Sequence, residues 1–371
     1  MNELTEYLKQ SLRSLGHEAD EVFDYLKHQL RNRFDPHAPL DIVAYRGFGN
    51  QSNSTLTGRV LAYREPLSSS VESKWRNLQQ SYRRFETDEV PHVVVQANVN
   101  DECYQTRSDS EGYFVFEFPT PANANSGTFD IALCLPERSS EHSSSIGTVT
   151  VPNNTAKFGV ISDIDDTILE TNATSILKMM RLTLLESSRT RLAFSGVGKF
   201  YSALHQDVNP LFYVSSSPWN LYDFLVDFMQ LNKLITGPLF LRDFGVDQSK
   251  FIAGPHTTHK LDQIRKILST YPDLPFILIG DSGQDDPEIY ATVVNEFPEQ
   301  ILSCYIRDVS GAVRDKKVRT TIQSLKKHQT DMLLVPDTLA AAVHAASRGW
   351  ISEKDVEAIK SDVNSNRQVI A

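Results

Sequence analysis

The chain is short of cysteine, of long apolar runs and of positive charge, and each shortage excludes something. Its 371 residues include 3 cysteines. Cys103, Cys134 and Cys304 are odd in number and lack the spacing of a metal-binding set, so they read as buried free thiols in apolar stretches. No apolar segment reaches the roughly 20 residues a helix needs to cross a bilayer. The opening Met1-Asn2-Glu3-Leu4 is polar and acidic, unlike a secretory signal. The expected setting is therefore cytoplasmic, with any lipid met peripherally from the aqueous side. Lys and Arg number 37 against 47 Asp and Glu, a formal net charge of -10. That argues against a nucleic-acid partner, because neutralising phosphates needs a basic surface. What is present is an ordinary globular composition, 40% hydrophobic and 23% charged, in a chain long enough for two or three domains.

Three segments differ in texture. Residues 1–38 read as helical: Leu4, Leu8, Leu12 and Leu15 recur at helical spacing, and Phe23, Leu26 and Leu30 continue after Gly16. Interleaved acids dilute their positive face, which favours an amphipathic pair packed on its own protein over a membrane-surface helix. Residues 39–153 read as a β-sandwich-like accessory domain. Short β-rich runs at 42–45, 58–61, 93–95, 113–118, 129–133 and 147–151 are separated by turn signals such as Asp109-Ser110-Glu111-Gly112. One helical insertion, with Val71, Trp75, Leu78 and Tyr82 on one face, interrupts them. The domain shows no catalytic constellation, and nothing in its sequence names its partner.

From 154 to 371, apolar runs at 158–162, 211–215, 238–241, 276–280 and 301–306 alternate with helical segments. This predicts an α/β fold with a doubly wound parallel sheet. Residues 332–335 predict an edge strand and 338–348 a helix stopped at Gly349. Ser352-Glu353-Lys354-Asp355 opens a last helix with a capping box, and residues from Ser361 onward are expected to fray.

In such sheets ligands lie beyond the carboxyl ends of the strands, and the polar clusters fall there. After the first run comes Asp163-Ile164-Asp165-Asp166-Thr167; after the second, Ser215-Ser216-Ser217-Pro218. Lys260 opens a helical segment, and Gly280-Asp281-Ser282-Gly283-Gln284-Asp285-Asp286 follows the fourth run. This is the inventory of a phosphoryl-transfer site. One carboxylate can attack phosphorus and divide hydrolysis into two easier steps. A second can move a proton. Hydroxyls and an ammonium can hold phosphoryl oxygens, and further carboxylates suit Mg²⁺. His256 and His259 have the spacing of a metal pair, but without further ligands nearby they read as structural or substrate-facing.

These clusters, in this order, resemble the haloacid-dehalogenase superfamily over roughly residues 155–310. The stretches Asp163 to Ile168, Phe194-Ser195-Gly196-Val197, Tyr213 to Trp219, Leu241-Arg242-Asp243, His259-Lys260 and Ile279 to Gln284 are similar to the phosphatidate phosphatases related to the actin-patch protein of yeast. Asp286 to Tyr290 and Pro336-Asp337-Thr338 are similar to that family's bacterial branch; lipins share the Asp-x-Asp-x-Thr site. The resemblance implies Asp163 as nucleophile and metal ligand, and Asp165 as acid/base that also binds metal through its backbone carbonyl. It implies Thr167, Ser215, Ser216 and Lys260 as phosphoryl-binding groups and Asp281 as a Mg²⁺ ligand. Asp286 completes the metal set at the longer motif spacing, Asp285 at the shorter.

The implied reaction is Mg²⁺-dependent hydrolysis of phosphatidate, or another membrane phospholipid, to diacylglycerol through an aspartyl-phosphate, at a transiently contacted membrane surface. Two alternatives stay open: a phosphatase of the same mechanism acting on another phosphomonoester or a phosphoprotein, and a lipid-binding module with an inactive site. The slots where such phosphatases insert a cap, 168–209 and 244–259, leave room for at most a small helical flap at 176–185. An open, capless or minimally capped site is expected.

Overall fold

The computed structural model describes residues 39–63, 90–138, 143–168, 194–242 and 256–370, apart from residues 123, 125, 126, 166, 326, 327 and 329. The expected N-terminal helices, the helical insertion at 71–82 and the flap at 176–185 lie outside the described residues.

The first sheet has eight strands: β1 (Leu40–Ala44), β2 (Gly47–Gly49), β3 (Asn53–Ala62), β4 (Val94–Val99), β5 (Glu102–Arg107), β6 (Tyr113–Pro119), β7 (Thr128–Cys134) and β8 (Ser144–Thr150). Hydrogen bonding runs in the order β1-β3-β2-β8-β7-β4-β5, with β6 also on β3. All pairings are antiparallel except β2 with β8. Alternation explains the strands. In β6, Phe114, Phe116 and Phe118 are buried while Val115 and Glu117 face outward, the period of two that pleating imposes. With Leu56, Val60, Val95, Ile131, Leu133 and Val149 these rings form one core. β5 is mostly polar, only Tyr104 and Thr106 being half-buried, and it went unseen in the sequence; it also leaves Cys103 exposed, and with Cys134 half-buried only Cys304 is the buried thiol expected of all three.

The second sheet is entirely parallel. Its strands are β9 (Gly159–Ser162), β10 (Leu211–Pro218), β11 (Leu239–Arg242), β12 (Phe276–Asp281), β13 (Ile301–Arg307) and β14 (Asp331–Val335), in the order β11-β10-β9-β12-β13-β14. β9 and β12 are buried along their whole length, as strands covered on both faces must be. The helices are α1 (Val197–His205), α2 (Tyr222–Leu231), α3 (His256–Thr270), α4 (Asp286–Glu296), α5 (Ala312–Ser324), α6 (Thr338–Ser347) and α7 (Glu353–Ile370), with a 3₁₀ turn at Trp219–Leu221 before α2. Val160, Tyr213 and Ile277 face α1, α2, α6 and α7 in one core. Ile161, Phe212 and Leu278 face α3, α4 and α5 in the other. The result is three layers.

The predicted capping box forms: Asp355 Oδ2 accepts from Ser352 N at 2.9 Å and Ser352 Oγ at 2.6 Å. The expected fraying from Ser361 does not occur, since α7 continues to Ile370. Asp362 accepts from Gly196 N at 2.9 Å, and Val363 is buried beside Val356 and Ile359. Gly196 adopts φ 81° as N-cap of α1, and a Cβ there would meet Val363 at 3.0 Å. The motif glycine thus seats the last helix, a long-range contact that local composition does not signal.

The two sheets share an interface. Tyr45 stacks on Trp219 with centroids 4.8 Å apart and lies 4.2 Å from Tyr222. Phe48 enters the second core against Phe240. Buried Arg59 lies over the Tyr113 ring and donates to Asn220 Oδ1 at 2.8 Å.

Candidate active site

Four elements converge at the carboxyl edge of the parallel sheet. Asp163 leaves the end of central strand β9, its N–H fixed to Ile279 O at 2.8 Å. Asp281 ends neighbouring strand β12. Asp286 opens α4, where the positive helix end favours a carboxylate. Lys260 projects from the first turns of α3. All four are buried. Ligand oxygens of Asp163, Asp281 and Asp286 lie within 4.8 Å of one another. Lys260 Nζ sits 2.9 Å from Asp163 Oδ1 and 2.7 Å from Asp286 Oδ1.

The backbone shapes this cluster closely. Asp281 Oδ1 accepts from Gly283 N at 2.6 Å and Gln284 N at 2.9 Å, and Asp286 Oδ2 accepts from Asp281 N at 3.1 Å. A Cβ at Gly280 would stand 2.5 Å from Asp286 Oδ2, so a glycine there is what lets the carboxylate fold back onto the strand end. Asp285, by contrast, is exposed as the N-cap of α4.

Burial raises the Asp163 carboxyl well above the usual range; Lys260 opposes this, and the neighbouring acids reinforce it. Asp281 is pushed up to about 7, mainly by burial and then by Asp286. Burial alone would lower Lys260, but Asp163 and Asp286 outweigh it and the ammonium is held charged. If all three carboxylates ionise, one cation leaves an excess of buried negative charge, and Asp281 Oδ2 is buried without a hydrogen-bond partner. Oxygen donors, buried charge and an orphaned oxygen fit a hard divalent cation.

A second group flanks the first. Asp165 Oδ2 accepts from Ser215 Oγ at 2.9 Å and Ser217 Oγ at 3.2 Å. Its backbone carbonyl faces Gln284 Nε2 at 3.4 Å. Thr167 Oγ1 approaches Asp163 Oδ2 at 3.5 Å. Ser216 is half-buried on the same strand end, and Asp166 lies outside the described residues. The structure therefore brings together Asp163, Thr167, Lys260, Asp281 and Asp286, with Asp165 and Ser215 adjoining. Among the described residues, His259 does not belong to the carboxylate cluster; the His256 side chain lies outside them.

Three contributors were missed in the sequence. Ser217 shares Asp165 with Ser215, and only the alternation of side chains along β10 hinted at it. Ser162 Oγ donates to Asp163 O and meets Tyr201 OH, both at 2.6 Å, at the backbone of Asp163. Arg314 clasps the acidic loop: it donates to Ser282 O, Gln284 O and both carboxylate oxygens of Glu288. No local pattern marks such partners.

Fold and site together define an α/β protein with a buried carboxylate–lysine centre beyond the strand ends of a parallel sheet. Residues 158–308 match the family described as "Phosphatidate phosphatase APP1, catalytic domain". It is 36% identical over 160 residues to phosphatidate phosphatase APP1 of Saccharomyces cerevisiae, covering 43% of this chain and 27% of that one. It is 26% identical over 270 residues to an uncharacterized protein of Schizosaccharomyces pombe, covering 71% of this chain and 43% of that one. The chain thus spans well under half the length of the curated relatives it matches. Among solved structures, a carbohydrate acetylesterase from Xanthomonas citri aligns at TM-score 0.25 and 11% identity, over 78% of this chain and 66% of that one, too distant to bear on the fold.

Proposed function

We propose that the chain is a Mg²⁺-dependent phosphatidate phosphatase that works through an aspartyl-phosphate. The convergence of buried Asp163, Asp281 and Asp286 on Lys260 carries this reading. The strand order around central β9 supports a haloacid-dehalogenase arrangement, with the eight-stranded sheet as a sandwich-like accessory domain. The domain limits are read as 1–38, 39–153 and 154–371.

Asp163 attacks phosphorus as the bond to the leaving oxygen breaks, and Asp165 gives that oxygen its proton, releasing diacylglycerol. Asp165 then takes a proton from water, whose oxygen attacks the aspartyl-phosphate, releasing inorganic phosphate and restoring Asp163. Ser215 and Ser217 orient the Asp165 carboxylate through their hydroxyls. Lys260, Thr167 and Ser216 line the phosphoryl side, where an ammonium and hydroxyls stabilise developing charge. Asp163, Asp281 and Asp286, with the Asp165 carbonyl, would hold Mg²⁺, which supplies positive charge against the phosphoryl oxygens.

No helix among the described residues is long and apolar enough to cross a membrane. The enzyme is read as cytoplasmic, meeting its lipid peripherally.

The test is phosphate release from phosphatidate in mixed micelles beside a soluble aryl phosphate, with Mg²⁺ or with chelator. Release from phosphatidate that needs Mg²⁺ is expected. Release from the aryl phosphate alone would move the substrate to another phosphomonoester, and release from neither would favour a lipid-binding module.

A further inference from the structure

We propose that the start of α5, beside the acidic loop, is the face by which the protein docks on an anionic lipid bilayer. The inference rests on the phosphatidate reading and names the surface that reading requires.

The location comes first. Val309 follows the end of β13, and its Cγ2 lies 3.2 Å from where a Cβ of Gly283 would stand. Gly283 donates to Asp281, so Val309 sits at the lip of the carboxylate cluster. Arg314, in the first turn of α5, reaches Ser282 O and Gln284 O. The N-terminal end of α5 therefore borders the site itself.

The chemistry of that lip is unusual for this chain. Val313 is 90% exposed and Val309 40%. Both are among the five large hydrophobic residues exposed in the described structure, and they flank the open Gly311, where an added Cβ would meet nothing within 4 Å. Behind them α5 carries Arg314, Lys316, Lys317 and Arg319 against Asp315 alone, in a protein of net charge -10. Asp315 is turned to Ser310 Oγ at 2.9 Å. Lys317 pairs with Glu288 at 3.0 Å yet stays 62% exposed, and Lys316 and Arg319 are exposed.

Arg319 stands four residues after Asp315, a spacing that supports the helix, while Lys316 has no acid at that spacing on α5. Arg314 is explained by the loop it clasps and Arg319 in part by Asp308 and Asp315; Lys316 is left facing solvent. Exposed apolar tips with cations behind them match the two layers of an anionic leaflet, acyl boundary and charged headgroups. A docked bilayer would meet the carboxylate cluster at the lip, where a lipid phosphate must arrive.

The experiment is flotation of the full chain with vesicles of phosphatidylcholine alone or with phosphatidylserine, which is anionic but not the substrate. Wild type is expected to float with the anionic vesicles, less so as salt rises. Val313→Asp, and Lys316→Glu with Arg319→Glu, are expected to lower vesicle affinity about ten-fold or more, since each cation near an anionic surface is worth about five-fold. Val313→Trp is expected to raise it. Hydrolysis of a monomeric short-chain phosphatidate should stay unchanged in all three.

Wild type that does not float, or variants that float like wild type, would overturn the docking face. Retained vesicle binding in both loss variants would assign the cationic face to another partner, such as an acidic protein. Intact flotation with no hydrolysis of either form of phosphatidate would overturn the functional reading alone.

Discussion

A carboxylate sealed from water is expensive to charge, and Asp163, Asp281 and Asp286 are three such groups around one lysine. Asp281, pushed up to about 7 chiefly by burial, gives a pH signature. Its folded-state value lies above its unfolded one, so it favours the fold at low pH, and that contribution is lost as pH rises through about 7. A divalent cation competes with the same proton. Thermal melts in chelator and in Mg²⁺ should therefore show a cation-induced stabilisation that grows from about pH 5 to about pH 8; a shift independent of pH would contradict the assignment. Gly280→Ala should cripple the site without touching an acid, because its methyl would strike the Asp286 carboxylate. Loss of cation-induced stabilisation in that variant would show it. At this scale the sequence was informative. The acids, Ser215 and Lys260 stand at strand or helix ends, where composition and order exposed them. Asp286 could not be chosen over Asp285 until α4 turned one inward and left the other exposed.

Elements hold these residues through contacts far apart in the chain. Arg314 ties α5 to the loop between β12 and α4 by two backbone carbonyls and the Glu288 carboxylate. Arg314→Met should weaken divalent-cation affinity about ten-fold or more, as removal of outer partners of a metal site commonly does, while the fold persists. Calorimetric titration with Mg²⁺ reads this directly; unchanged affinity would make Arg314 a surface residue only. The parallel strands were legible because each is an unbroken apolar run bounded by turn residues. β5 was not, since its residues are mostly polar and its inward positions, Tyr104 and Thr106, are only half-buried. The persistence of α7 beyond Ser361 was hidden for a different reason: its anchors, Gly196 and the α1 face, lie more than 160 residues earlier.

At the scale of the whole molecule, the first sheet is bolted to the turn that follows Ser215-Ser216-Ser217-Pro218. Arg59 and Tyr113 both donate to Asn220 Oδ1, Arg46 N donates to Tyr222 OH at 2.6 Å, and Tyr45 stacks on Trp219. The sequence presented two textures and invited the reading of a detachable module, because side chains that meet across an interface leave no periodic signal. Arg59→Met should cost about 1–3 kcal/mol by removing the donor to Glu111 O and one of two donors to Asn220 Oδ1, and a melt should show both sheets unfolding in one transition. Two separate transitions in the wild type would contradict the bolted arrangement. The proposed reaction turns on a phosphoryl group passing through Asp163. Its most direct test is acid quenching of the full chain during turnover of phosphatidate labelled in its phosphate, followed by a count of label on the protein. The prediction is hydroxylamine-sensitive label on wild type, with no label and turnover lower by about 10⁴-fold or more in folded Asp163→Asn; substantial turnover by that variant would contradict it.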